Sequence, residues 1–310
     1  MSTRPGLSVF LPQAALSYPT LRDRARTVEA LGYDAFWIVD HMWARGLPDV
    51  DFLEAWTTVA ALAEATSRLR LGVLVTCNAY RNPGMLAKSV TTADHVSGGR
   101  IELGLGAGWM EEEYRAYGFE FAPIATRLAQ LEEALEVISS LFTKHRTSFE
   151  GRYYRFYNAP FAPKPVQTVL PITLGGSGTR VFMRLVARFA SRWNCPMPAA
   201  AKVEEHVQAL ARHCEAVDRD PADIIISEQT CVVLGRDERE YRDKLALAKT
   251  MVGGWIDLDT MALHGTPERV ADGLRSKMKR GVKDFAIVFG DLGMPETLEL
   301  FMREVAPLLT

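Results

Sequence analysis

The stretch Arg68–Phe121, RLRLGVLVTCNAYRNPGMLAKSVTTADHVSGGRIELGLGAGWMEEEYRAYGFEF, reads as two strand, loop and helix units in succession. Leu69–Thr76 is an apolar run of strand length, and Met85–Val96 behind it has helical periodicity. Ile101–Leu105 opens the second unit. Both loops carry Gly, Asn, Thr, Cys and Trp in a pattern that suits a ligand better than a simple turn. The ends of these strands are therefore the first places to look for function.

The same alternation extends in both directions. Upstream, Leu7–Leu11 and Ala35–Val39 read as strands, with helices over Thr20–Leu31 and Phe52–Ala65. Downstream, a long helix presents Leu128, Leu131, Leu135, Ile138 and Leu141 at spacings of three and four. Val169–Leu174, Arg192–Cys195, Ile224–Val233 and Asp284–Val288 complete eight strands, separated by helices over Arg180–Phe189 and Val203–Val217 and ending in Pro295–Val305. Strands alternating with helices predict parallel pairing through right-handed crossovers, and eight such repeats favour a closed (β/α)8 TIM barrel over an open sheet. Residues 1–310 are expected to form one domain. A hairpin insertion at the C-terminal rim is predicted over 147–158, where Glu150-Gly151 splits SFEGRYYRFY. The stretch Arg236–Thr266 is the least regular, and a mobile lid is the expectation for it.

The composition supports an ordinary globular chain, with 48% hydrophobic and 24% charged residues. With 36 Lys+Arg against 38 Asp+Glu, the formal charge of −2 and the lack of any like-charge run give nucleic acid or an anionic membrane surface no electrostatic hold. No stretch has the length and apolarity of a membrane span and the N-terminus lacks a signal-peptide pattern, so a cytoplasmic location is expected. Cys77, Cys195, Cys214 and Cys231 are too dispersed for a zinc site, and no metal is expected.

In a barrel of this type the active site lies where the strands end. Strand two ends in Asp40-His41, a carboxylate and an imidazole that can accept or return a proton near neutral pH. A capping aspartate beside a packed histidine is the competing reading. Strand three ends in Thr76, Cys77 and Asn78, whereas Asn82 and Pro83 are explained by the start of the next helix. Strand four runs through LGLGAGW, whose glycines would let backbone approach a flat ligand, with Trp109 beside it. It lacks the GxGxxG context of a Rossmann site. Strand five ends in Gly175, Gly176, Ser177, Gly178 and Thr179, where free N–H groups, two hydroxyls and a helix start could cradle a phosphate, or a capped glycine turn could equally stand. Strand six ends in Asn194 and Cys195. Gln13, Trp43 and Trp109 are candidate walls of a substrate pocket. Glu111, Glu112 and Glu113 read as the solvated first turn of a helix.

These loops in this order resemble the luciferase-like oxidoreductases, and within them the subgroup using coenzyme F-420, a 5-deazaflavin. The pieces that carry the likeness are Asp40-His41, the block LGVLVTCNAYRNPGMLAKSVTTADHVSGGRIELGLGAGW, the run NAPFAPKPVQ before strand five, and LGGSGTR. The resemblance implies the barrel, with the tricyclic ring across its mouth and a phosphate at Gly175–Thr179. It implies a bulge with a cis peptide at Leu74-Val75 against one ring face. Asp40, Thr76, Asn78, Ala107, Gly108, Asn194 and Cys195 would then contact the coenzyme, and His41 would balance a hydride transfer to or from an alcohol, carbonyl, imine or activated alkene. Gln13 and Trp109 occupy positions where sugar-phosphate dehydrogenases of the group carry glutamates, which argues against a sugar phosphate. Two alternatives use the same barrel: a monooxygenase fed with reduced FMN by a separate reductase, and a non-catalytic flavin-binding barrel. Pairing through helices two and three, giving a homodimer, is a further implication.

Overall fold

The structure is a computed structural model describing residues 4–310. The strands are β1 (Gly6–Phe10), β2 (Ala35–Ile38), β3 (Arg70–Val73), β4 (Thr76–Cys77), β5 (Ile101–Gly106), β6 (Arg146–Glu150), β7 (Arg155–Pro160), β8 (Ile172–Gly175), β9 (Arg192–Cys195), β10 (Ile225–Leu234), β11 (Ala262–Gly265) and β12 (Asp284–Phe289). The helices are α1 (Tyr18–Ala30), α2 (Ala55–Ala65), α3 (Pro83–Ser97), α4 (Glu111–Ala116), α5 (Ile124–Thr143), α6 (Val181–Phe189), α7 (Val203–Glu215), α8 (Glu238–Met251), α9 (Leu258–Met261), α10 (Pro267–Lys279) and α11 (Pro295–Leu300).

Eight parallel strands close in the order β1, β2, β3, β5, β8, β9, β10, β12 and back to β1. Following paired residues once around the ring from Gly104 returns to the register of β5 eight residues away, the stagger of an eight-stranded closed barrel. The ring thus uses the eight strands read from the sequence, in chain order. β6 and β7 pair antiparallel as a separate two-stranded sheet.

The local reasons are ordinary ones. Strands of the ring are largely buried because helices cover their outer face and the other strands their inner one. α3 begins with Pro83 after Asn82, whose side chain accepts from the Gly84 N–H, and ends at Gly98 with φ 67°. Inside the lower half of the ring, five successive strands meet through polar groups. Arg192 Nε donates to Glu102 at 2.9 Å and its Nη1 lies 2.8 Å from Asp284, while Ser227 donates to Asp284 at 2.7 Å. Thr173 also donates to Glu102. Burial works against the Glu102 charge, yet Arg192 holds its carboxyl below the usual range.

The segment Arg236–Thr266 departs from a free-standing lid. α8 packs on the barrel and β11 adds to the ring's wall. One edge of β10 is shared in sequence: residues 225–228 pair with β9, and residues 231–234 pair with β11. The other edge pairs with β12 throughout its middle. β11 is short and partly exposed, so its apolar signal is too weak to distinguish it from a loop. Among the described residues no helix is long and apolar enough to cross a membrane.

Candidate active site

The mouth is built around the break between β3 and β4. Here the chain turns through a cis peptide at Leu74-Val75, and β4 resumes pairing with the end of β5. Val75 projects into space that three glycines leave open. A Cβ on Gly104 would lie 1.9 Å from the Val73 carbonyl oxygen, and a Cβ on Gly106 or Gly175 would lie 2.7 or 2.6 Å from Val75 methyl groups. Most of the LGLG run is therefore room for the bulge rather than for a ligand, which corrects the sequence reading. Ala107 and Gly108, just beyond, are the part of that run that reaches partial exposure.

Asp40 holds the bulge from the adjacent strand end. Its carboxylate accepts from both Arg81 amino groups, at 2.6 and 2.8 Å, and from the Cys77 N–H at 2.9 Å. Arg81 also reaches Glu54, the cap of α2. Burial opposes the Arg81 charge, but the two carboxylates raise its pKa above the ordinary arginine value. Asp40 is 5% exposed with both oxygens engaged, so it fixes the loop to the end of β2.

His41, one residue on, is set differently. Its Nδ1 lies 2.8 Å from Glu113 Oε2 and its side chain is 24% exposed. Glu113, at the start of α4, also accepts from the Tyr80 hydroxyl and the Met42 N–H. Burial alone would raise the Glu113 carboxyl, but these donors, His41 first among them, hold it below the usual range. Glu113 is thus a carboxylate acceptor, placed to receive a hydrogen bond from Nδ1 of the His41 ring. Burial, with Cys77 and Glu113 nearby, raises the Tyr80 phenol, which keeps it a donor. Burial likewise pushes the Cys77 thiol up to about 11, so it is not a nucleophile. Glu113, buried at 0% exposure, overturns the reading of three solvated glutamates; Glu111 and Glu112 are the exposed pair.

Aromatic rings from two loops rim the opening. Trp109 meets His41 edge-on with centroids 5.5 Å apart, and Trp43 stacks on Tyr117 at 5.7 Å. Arg45 lies over the Trp109 ring at 5.4 Å.

Across the mouth, the turn after β8 is only partly open. The Gly176 N–H donates to the Asn194 carbonyl at 3.2 Å, and the Gly178 N–H donates to His206 Nε2 at 3.2 Å. Two members of the expected N–H cradle are therefore committed within the protein. Ser177, Thr179 and Arg180 keep their N–H groups free at the start of α6, alongside the Ser177 and Thr179 hydroxyls. Fewer N–H groups are open here than the sequence suggested, and those that are lie at a helix start.

Six other candidates are buried within the protein. Gln13 is 0% exposed; its amide donates to the Val39 and Leu53 carbonyls and accepts from the Val39 N–H, so it clamps β2 rather than lining a pocket. The Thr76 hydroxyl is buried and accepts from Trp56 of α2, outside the ring. Cys195 is 0% exposed and burial pushes its thiol up to about 12, with Glu228 and Lys277 of the outer layer as its charged neighbours. Strand parity explains this, because Arg192 and Asn194 point inward and Trp193 and Cys195 outward. Asn194 does face inward, but it is 3% exposed and donates to Ser227. Asn78 donates to Tyr154 of the turn between β6 and β7, so the hairpin seals that side of the rim. Leu74 is 5% exposed, leaving Val75 as the accessible side of the bulge.

A closed parallel barrel with a bulged third strand, and with a histidine paired to a carboxylate at its mouth, has the architecture of the (β/α)8 oxidoreductases. The chain is a member of the luciferase-like monooxygenase family, whose sequence model matches residues 3–255. An uncharacterized protein of Mycobacterium tuberculosis is 30% identical over 273 residues, covering 83% of this chain and 90% of that one. An F420-dependent glucose-6-phosphate dehydrogenase of Rhodococcus jostii is 28% identical over 314 residues, covering 91% of each. Among solved structures, an F420-dependent secondary alcohol dehydrogenase in complex with an F420-acetone adduct superposes with a TM-score of 0.87 over 99% of both chains at 17% identity. The long-chain alkane monooxygenase LadA has the same fold, with a TM-score of 0.82 over 99% of this chain and 91% of that one at 17% identity.

Proposed function

We propose that this protein is a deazaflavin-dependent oxidoreductase that moves a hydride between coenzyme F-420 and a small organic substrate, an alcohol and carbonyl, an imine or an activated alkene. The observation that carries the reading is the His41–Glu113 pair, an imidazole oriented by a carboxylate at the barrel mouth. Names of relatives and fold neighbours that include F420-dependent enzymes support the choice of coenzyme.

Ser177, Thr179 and Arg180 would hold the coenzyme's phosphate, and Val75, Ala107 and Gly108 would face its ring system. When bound, the deazaflavin supplies a carbon that accepts or returns a hydride with its electron pair. The protein's task is the accompanying proton. His41 Nε2 takes the hydroxyl proton as a carbinol becomes a carbonyl, and returns it in the reverse direction. Glu113 stabilises the imidazolium by accepting from Nδ1, so the charge that develops on the ring is opposed by a buried carboxylate. The rings of Trp43 and Trp109 keep water from the reacting side.

Fluorescence titration with oxidised deazaflavin, and separately with FMN in both redox states, tests this reading. Saturable deazaflavin binding with weak FMN binding is expected. A preference for reduced FMN would instead assign a monooxygenase of the luciferase-like type. Binding without turnover on any substrate would mark a non-catalytic barrel. His41→Ala should lower turnover by roughly 100-fold while leaving coenzyme affinity close to wild type.

A further inference from the structure

We infer that the substrate is an aromatic carbonyl compound or the matching benzylic alcohol, carrying a carboxylate on its ring. The inference deepens the proposed function and rests on His41 marking the reacting end. From His41, the surface leads directly onto indole: the Trp109 ring lies 5.5 Å away, edge-on. Trp109 and Tyr117 each keep 56% of their surface exposed after packing, which is unusual for rings already engaged with neighbours. Trp43 and Tyr117 form a second, near-parallel pair at 26°. A planar apolar ring is the ligand that covers such a surface best, by offset or edge-to-face contact.

A positive charge sits beside the same indole. Arg45 places its guanidinium 5.4 Å from the Trp109 centroid and has no acidic partner among the described residues. His41 and Arg45 both approach the Trp109 ring, at 5.5 and 5.4 Å from its centroid, so one ligand seated on the indole can meet both. Nothing at this rim matches a sugar phosphate. Gln13 has its amide consumed inside the protein, and among the described residues Arg45 is the one cation over the Trp109 ring.

Isothermal titration calorimetry on the full chain without coenzyme tests the inference, with 4-acetylbenzoate, acetophenone and glucose 6-phosphate as probes. The expected result is saturable binding of 4-acetylbenzoate, tighter than acetophenone, with no binding of glucose 6-phosphate. Trp109→Ala should weaken both aromatic probes about tenfold, and Trp109→Phe should largely restore them. Arg45→Gln should abolish only the preference for the carboxylate. Both side chains are at the surface, and circular dichroism would verify that the variants fold. Equal or tighter binding of glucose 6-phosphate overturns the inference, as does absence of aromatic binding or indifference to Trp109→Ala. The deazaflavin titration is independent of these readings: a protein that binds the aromatics but ignores deazaflavin would refute the proposed function and keep this one.

Discussion

Replacing Glu113 by Gln removes a charge while keeping the side chain's volume and one carbonyl oxygen. Three donors converge on the carboxylate: His41 Nδ1, the Tyr80 hydroxyl and the Met42 N–H. The amide can serve only part of that set and presents an NH2 to one of the donors. A hydrogen bond to a charged group contributes about 1.5–3 kcal/mol, so loss of the charge-assisted bond to His41 should lower kcat by about 10- to 150-fold. The unpaired donor adds a folding cost of about 1–3 kcal/mol. Because Glu113 acts through His41, the two losses should not add. In a His41→Ala background, Glu113→Gln should cost little more in turnover, whereas independent sites would multiply. The assay is stopped-flow or steady-state absorbance of the deazaflavin across the four proteins of the cycle, with coenzyme affinity measured in parallel. A kcat for Glu113→Gln within twofold of wild type, or full additivity with His41→Ala, would refute the assignment of Glu113 as the positioning partner.

Arg192→Met should cost about 3–5 kcal/mol near neutral pH, because Glu102 and Asp284 lose their shared counter-charge inside the ring. The folded Glu102 carboxyl lies below its unfolded value, so wild type has this stability above about pH 4.3 and loses it as pH falls through the folded value. In the variant, burial without arginine raises the same carboxyl, so the gap in melting temperature should narrow from pH 8 to pH 5; a constant gap would contradict the account. Gly104→Ala should destabilise the fold by at least about 3 kcal/mol in urea titration, since the new methyl meets the backbone oxygen of Val73. Cys195 should resist a thiol reagent in the native protein and react only on unfolding, and rapid native labelling would show that it faces the mouth after all.

What was legible beforehand was the ring. Each of its eight strands is an apolar run bounded by polar or glycine-rich turns, so both their number and their order could be read from the chain. Side-chain direction was another matter. Thr76 and Cys195 stand at strand ends and look like mouth residues, but a strand presents alternate residues to opposite faces, and register decides which. For β9 the clue was present, since Arg192 and Cys195 have opposite parity and a buried arginine needs partners inside the ring. Glu113 was hidden for a different reason. It follows two exposed glutamates of the same type, and only the tertiary meeting of α4 with the loop after β2 separates it from them. The glycines of β5 are ambiguous in sequence, because a ligand and the neighbouring Val75 ask for the same missing Cβ.

The divided edge of β10 has a bearing on how this rim can change. β9 and β11 each complete part of the same seam, one low and one high, so the ring is already closed below the point where β11 docks. Everything from Arg236 to Met261 leaves and returns above that closure. That stretch can therefore lengthen, shorten or exchange its helices while the eight-strand hoop stays intact. It gives the protein a place to remodel access to its site without rebuilding the barrel that holds His41 and the bulge in register.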